Sequence, residues 1–273
     1  MTMARPMRES RGGALGPTDR VNALRRERDD LLAVCEGLDA AQWLSSSMAD
    51  GWTVQDVVAH IGSGCHAMFS PSVVKILFGN DIERANDEFV AQRRAWRPER
   101  TLDEYRRWSQ RVVATAKFLT RSPLGRITAP LAELGRFPLT QLLIGAMVFD
   151  HHTHLRHDIV PALGVADPGT DADRMAVVIE WMLAVLANQM VTCPTLVDGS
   201  IGLVLDGMGG GAWTIHPGGD IRAGVAGPAV LIEASAVEFP DWGTKRCDWR
   251  ARQVHLCGDE SRGTRFLDWV NVV

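Results

Sequence analysis

Apolar residues recur at helical spacing through the first two thirds of the chain. Val21, Leu24, Leu31, Cys35 and Leu38 fall three, four or seven apart, which predicts an amphipathic helix over residues 19–38. Arg25, Arg26, Glu27, Asp29 and Asp30 then form its solvated face. After a Ser-rich loop holding Trp43, Thr53 is placed to cap a second helix, and Asp56 answers it three residues on, a carboxylate variant of the capping box. The stripe of that helix is Val54, Val57, Val58, Ile61 and Cys65, with His60 at its edge. A polar stretch over 80–100 precedes a third helix over 102–119, marked by Leu102, Tyr105, Trp108, Val112 and Phe118. Residues 123–135 read as a loop. Pro138 suits the first turn of a fourth helix, which runs through Leu142, Leu143 and Met147 and stops near Pro161 and Gly164. A fifth follows over 171–191.

The pattern then changes. Residues 201–205, 212–216 and 221–225 are short runs with β-branched residues, separated by glycines as strands and hairpins require. Residues 230–237 fit a strand or a helix, 253–257 a strand, and 262–270 a last helix. Helices first and strands afterwards predict segregated parts and not alternating βαβ units. The expected organisation is a flexible tail over 1–18, a helical bundle over 19–192 and a small α+β domain over 200–273, with the cut between Asn188 and Ser200.

Composition narrows the function classes. A net charge of -4, with 46% hydrophobic and 23% charged residues, gives no basic footprint, so no nucleic-acid partner is expected. No apolar run reaches the roughly 18–20 residues that span a bilayer, and residues 1–17 lack a secretory stretch, so a soluble cytoplasmic protein without a membrane partner is expected. The five cysteines (Cys35, Cys65, Cys193, Cys247, Cys257) are odd in number and hold no CxxC pair; they read as reduced, mostly buried thiols. Three lysines against 26 arginines point to a GC-rich host genome.

The concentrated chemistry lies in residues 149–158, which hold half of the eight histidines. At ~100° per residue, Asp150, His154 and His157 fall within roughly 60° of one another, on the face that also carries Leu139, Leu143 and Ala146. A carboxylate and two imidazoles on an apolar face are costly unless paired or bound to a cation. A metal is one sufficient reason, since ligands at i and i+4 chelate one ion and bundles complete such sites from a facing helix, here through His60. The competing reading pairs Asp150 and Asp158 with His154 and His157 and needs no ion. His151 and His152 turn away from this face, as solvated or supporting groups. In the C-terminal part, Arg222, Arg246, Arg250 and Arg252 are candidates for a carboxylate-binding fork.

Two segments resemble the DinB-like metal-binding four-helix bundles, and within them the mycothiol-dependent maleylpyruvate isomerase-like proteins of actinobacteria. Residues 51–60, from Gly51 and Trp52 to His60, are similar to the family's tryptophan-started second helix ending in a ligand histidine. Residues 150–164, with the acidic-x-x-x-His step at Asp150 and His154, are similar to its second ligand helix, where family members carry Glu at the position of Asp150. Gly211-Ala212-Trp213, residues 224–227, residues 242–246 and Gly258-Asp259 resemble the small sterol-carrier-like α+β domain that follows the bundle. The resemblance implies an up-down bundle followed by that domain, and a divalent ion, zinc by expectation, on His60, Asp150 and His154, with His157, His151 and Asp158 as alternates. It further implies mycothiol or another low-molecular-weight thiol as cofactor, activated at an open metal position. The expected activity is isomerisation of, or thiol transfer to, a small electrophile, carboxylates included, with Arg246 and Arg222 as substrate-binding candidates and the protein a monomer or homodimer. A non-catalytic bundle, in which the site is structural or senses a ligand, is the alternative.

Overall fold

The computed structural model describes residues 15–193 and 199–272. The expected tail lies mostly outside them, and Pro17, at the start of α1 (Pro17–Glu36), is already helical. The predicted cut after Asn188 falls partly on residues 194–198, which are also outside the described residues.

The helical part contains α1, α2 (Ala40–Leu44), α3 (Val54–Ala67), α4 (Val73–Phe78), α5 (Ile82–Ala91) and α6 (Pro98–Leu119). The Thr53–Asp56 capping box forms as the sequence predicts: Asp56 N donates to Thr53 Oγ1 at 3.2 Å, and Thr53 N to Asp56 Oδ2 at 3.0 Å. That box fixes the start of α3, and His60 therefore lies on its second turn. α3 packs closely on α6 at Gly62, where an added Cβ would come within 3.3 Å of the Tyr105 backbone. Three short elements depart from the sequence reading. α2 occupies the stretch read as a Ser-rich loop, α4 lies where the sequence pattern assigns no element, and α5 sits inside the polar stretch 80–100, burying only Ala85, Phe89 and Val90. The loop at 123–135 also carries part of a small hairpin, β1 (Thr128–Pro130) with β2 (Arg136–Pro138).

The fourth long helix, α7, is continuous but not uniform. It is π-helical over Gln141–Ala146, α-helical over Met147–Thr153, π-helical again over His154–Ile159 and α-helical over Val160–Leu163. Gly164, at φ +60°, ends it in the left-handed conformation that favours glycine. Pro161 has no N–H to return to the His157 carbonyl, and the wide second turn is where the helix accommodates that loss.

α8 (Ala172–Thr192) corrects the expectation that no segment is long and apolar enough to cross a bilayer: by length and composition this helix is. Its apolarity has a different cause, because α1 and α7 pack on it from one side and the C-terminal part from another. Met175, Val178, Ile179, Met182, Val185 and Leu186 are all buried, and a helix buried all round reads as hydrophobic all round.

The C-terminal part is a five-stranded sheet, order β5-β4-β3-β6-β7, from β3 (Ile201–Asp206), β4 (Gly211–Ile215), β5 (Ile221–Ala223), β6 (Val230–Ser235) and β7 (His255–Gly258). Only β3 and β6 run parallel. The ambiguous segment 230–237 is thus a strand, β6, for its first six residues. α9 (Phe239–Gly243) and α10 (Glu260–Trp269) complete this part. One apolar cluster runs from Leu24 and Val148 through α8 into Leu203, Ile232 and Phe266, so helices and sheet share a core. A second cluster, with Leu31, Val57, Ile61, Tyr105, Leu155 and Ile159, surrounds the end of the bundle that carries His60 and His154.

All five cysteines are free thiols. Cys35 and Cys65 are buried, but Cys193 and Cys257 are exposed and Cys247 is half-buried, so the chain hides fewer of them than expected. Burial pushes both Cys35 and Cys65 well above the usual thiol range, which leaves them unreactive.

Candidate metal centre

α3 and α7 bring His60, Asp150 and His154 together. His60 Nε2 stands 3.3 Å and His154 Nε2 3.5 Å from the same oxygen, Asp150 Oδ1. The three ligand atoms all lie within 4.8 Å of one another. Two atoms each about 2.0–2.1 Å from a tetrahedral zinc are roughly 3.3–3.4 Å apart, so both distances to Asp150 leave room for an ion shared between the groups. Both histidines are more than nine-tenths buried, whereas Asp150 is partly exposed and marks the open side.

The far nitrogen of His154 is also engaged. Its Nδ1 donates to Asp158 Oδ2 at 2.6 Å, and Asp158 is fully buried. This carboxylate–imidazole pair leaves Nε2 as the lone-pair nitrogen and orients the ring, the usual support of a ligand histidine. Arg246 holds Asp158 in turn, through Nε at 2.9 Å and a second guanidinium N–H at 2.8 Å. Trp52 lies over the pair of rings, its centroid 5.2 Å from that of His60 and 6.3 Å from that of His154, and its indole N–H donates to Asp87.

Electrostatics match a cation site. Burial pushes the Asp150 carboxyl up, but the adjacent His60 and His154 outweigh it and hold the group well below the usual carboxylate range. Burial lowers His154, but its bonds to Asp150 and Asp158 outweigh that and raise it from 6.5 to about 9. In the metal-free protein the His154 proton therefore stabilises the fold fully below pH 6.5, and that contribution is lost as pH rises through about 9. An incoming cation must displace this proton. Zinc titration by calorimetry in buffers of different ionisation enthalpy is expected to show about one proton released per ion at pH 7 and none well above pH 9. Asp158→Ala, which removes the orienting carboxylate, is expected to weaken zinc binding by roughly 10–100-fold in a competition titration.

The structure places the other candidates elsewhere. His157 leaves the face it shares with Asp150 on an ideal helix, because the π turn over His154–Ile159 advances the chain by less per residue than an α turn. It faces Asp241 at 3.7 Å, and burial lowers it to about 4. His151 and His152 are buried, not solvated. His151 Nδ1 donates to the Met147 carbonyl at 2.6 Å, and burial lowers its pKa. His152 Nδ1 donates to Glu27 at 2.9 Å.

Glu27 is the main correction to the α1 reading. It is fully buried rather than on a solvated face, and its oxygens also meet Arg156 at 2.6 Å and Arg174 at 3.7 Å. Asp30 joins the same two arginines. Its spacing of three from Leu24 and four from Leu31 was the available signal, masked by the charged residues on either side.

Among the C-terminal arginines, Arg222 is exposed on the edge strand β5 beside Asp220, Arg250 pairs with Asp268, and Arg252 with Asp241. Arg246 alone is connected to the cluster, through Asp158.

The chain is thus a helical bundle with a candidate three-residue cation cluster between facing helices, followed by a small sheet-containing part, and bundles of this kind can build metal sites in their cores. Residues 24–155, which include His60, Asp150 and His154, match the family model described as the mycothiol maleylpyruvate isomerase N-terminal domain. Its fold is that of the crystal structure of the mycothiol-dependent maleylpyruvate isomerase, at a TM-score of 0.55 and 15% identity over 85% of this chain and 90% of that one. A histidine-to-alanine mutant of that isomerase gives a TM-score of 0.57 at 15% identity, over 89% of this chain and 93% of that one. No protein with a curated description matches the sequence.

Proposed function

We propose that the chain is a metal- and thiol-dependent isomerase or transferase that uses mycothiol, or a similar low-molecular-weight thiol, on a small electrophile. Zinc is the proposed ion, and His60, Asp150 and His154 its ligands. The observation that carries this reading is the ligand count: among the described residues, the cluster holds two imidazoles and one carboxylate and no fourth histidine, cysteine or carboxylate. A closed four-ligand site would fit the structural alternative, whereas three ligands leave a position for an exogenous group.

A divalent ion held this way lowers the pKa of a thiol bound to it, which favours the nucleophilic thiolate near neutral pH. The chain's own residues supply the rest. Asp150 contributes the one anionic ligand and faces the open side. Asp158 holds the His154 proton at Nδ1, and Arg246 holds Asp158, so the C-terminal part reaches the site through one carboxylate. Trp52 covers the histidine rings and excludes water from that side.

The likeness to the mycothiol-dependent maleylpyruvate isomerase supports the thiol and the electrophile class. We further propose the boundaries 19–192 and 200–273 for the two parts, a cytoplasmic location, and a monomer or homodimer without nucleic-acid or membrane partners. Asp150→Asn tests the role of the anionic ligand. At saturating zinc, the variant is expected to begin thiol transfer to a reactive electrophile at a higher pH than wild type. Identical pH profiles would remove Asp150 from the site.

A further inference from the structure

A cavity of about 680 Å³ opens at the N-terminal end of α7, apart from the metal cluster. Its volume is in the range of sites that hold small organic ligands, roughly 300–1,000 Å³. Apolar and polar residues line it together: Ile144, Val177 and Trp181 lie buried beneath it, and Pro17 and Pro123 are exposed apolar residues of its lining. Gly145 lets the Trp181 ring pack directly against α7, since a Cβ there would come within 3.2 Å of it. The first π turn of α7, Gln141–Ala146, forms this side, and wide turns of that kind are frequent at functional sites.

The rim is cationic in a chain of net charge -4. Arg20, Arg121 and Arg126 line it against a single carboxylate, Glu180. Arg20 and Glu180 neutralise each other in a two-pronged pair. The guanidinium groups of Arg121 and Arg126 make no hydrogen bond, ion pair or ring contact among the described residues, although neighbouring arginines are extensively paired. The Gln141 side chain, at the same mouth, is likewise without a hydrogen-bond partner among the described residues. A cavity of mixed apolar and polar lining, topped by two guanidinium forks and an amide, is complementary to an apolar body bearing a carboxylate.

We propose that this cavity is a second small-molecule site, for an aromatic or otherwise apolar carboxylate, separate from the metal centre. It involves none of the residues assigned to the metal, so it stands or falls independently of the proposed activity.

The test uses 2-naphthoate and its neutral analogue 2-naphthamide, titrated by calorimetry into the full chain with zinc and after chelator treatment. One saturable naphthoate site is expected, unchanged by the chelator, with the amide at least tenfold weaker. The double variant Arg121→Ala/Arg126→Ala changes only exposed side chains. It is expected to weaken naphthoate at least tenfold and leave the amide as it was. The proposal is overturned by any of three results: no saturable naphthoate binding at millimolar concentration, equal affinity for acid and amide, or naphthoate binding that the double variant leaves intact. Binding that disappears with the metal also overturns it, because the carboxylate would then be at the metal centre.

Discussion

His60→Ala and His154→Ala are each expected to lower zinc affinity by more than the roughly 10–100-fold that loss of an outer partner costs, so that neither variant retains zinc through purification. Each removes one of the three proposed ligand atoms and leaves Asp150 with one imidazole neighbour. His152→Ala is the contrast. Its ring is close by in sequence but bonds Glu27, so zinc content is expected to stay at the wild-type level while stability falls. Metal analysis of the three purified variants checks this, and equal zinc in all three would contradict the assignment.

Glu27→Ala is expected to be the most destabilising single change in the bundle. Removing one partner of a buried ion pair typically costs about 3–5 kcal/mol, and although Arg156 and Arg174 keep Asp30, His152 loses the carboxylate it bonds and both arginines lose their fully buried counter-charge. Here the remaining groups are His152 and Arg156, both almost fully buried, and Arg174. Urea unfolding at pH 7 measures the loss, with a fall in melting temperature on the order of 10 °C. The network also sets an acid limit. Burial raises the Glu27 carboxyl, but His152, Arg156 and Arg174 outweigh it and hold the group below its ordinary 4.5. Its contribution is therefore full above pH 4.5 and is lost as pH falls through the lower folded value. A change near zero for Glu27→Ala would mean that the network is not closed in solution.

The helices that carry His60, Asp150 and His154 were legible because their signals are local. A capping box and a clean 3-4 stripe fix the start and the buried face of α3, and His60 follows from them. Asp150 and His154 are one turn apart within α7, so an ideal helical wheel places them correctly. The same wheel fails for His157, since it assumes a uniform turn, and nothing in residues 154–159 announces a π turn except Pro161 beyond it. Glu27 was misread because charge was taken as exposure; only its partners, more than 120 residues away, make burial tolerable. The apolar surplus of α8 has the same kind of cause, since it reflects a sheet that packs on the helix from elsewhere in the chain. The short elements α2, α4, α5 and the β1–β2 hairpin are too brief for a periodic pattern to register. Arg246 could be singled out as an arginine but not assigned, because its partner Asp158 lies on another element.

The central claim is that the His60–Asp150–His154 cluster holds a metal with a position open to a thiol. It is tested most directly by following thiol-dependent turnover of an electrophile panel with mycothiol as the zinc content of the full chain is stepped from zero to one per molecule. Activity is expected to be absent in the chelated protein, to rise in proportion to bound zinc, and to reach its limit at one ion per chain. Turnover indifferent to zinc, or a fully loaded protein inert toward every electrophile in the panel, would contradict it.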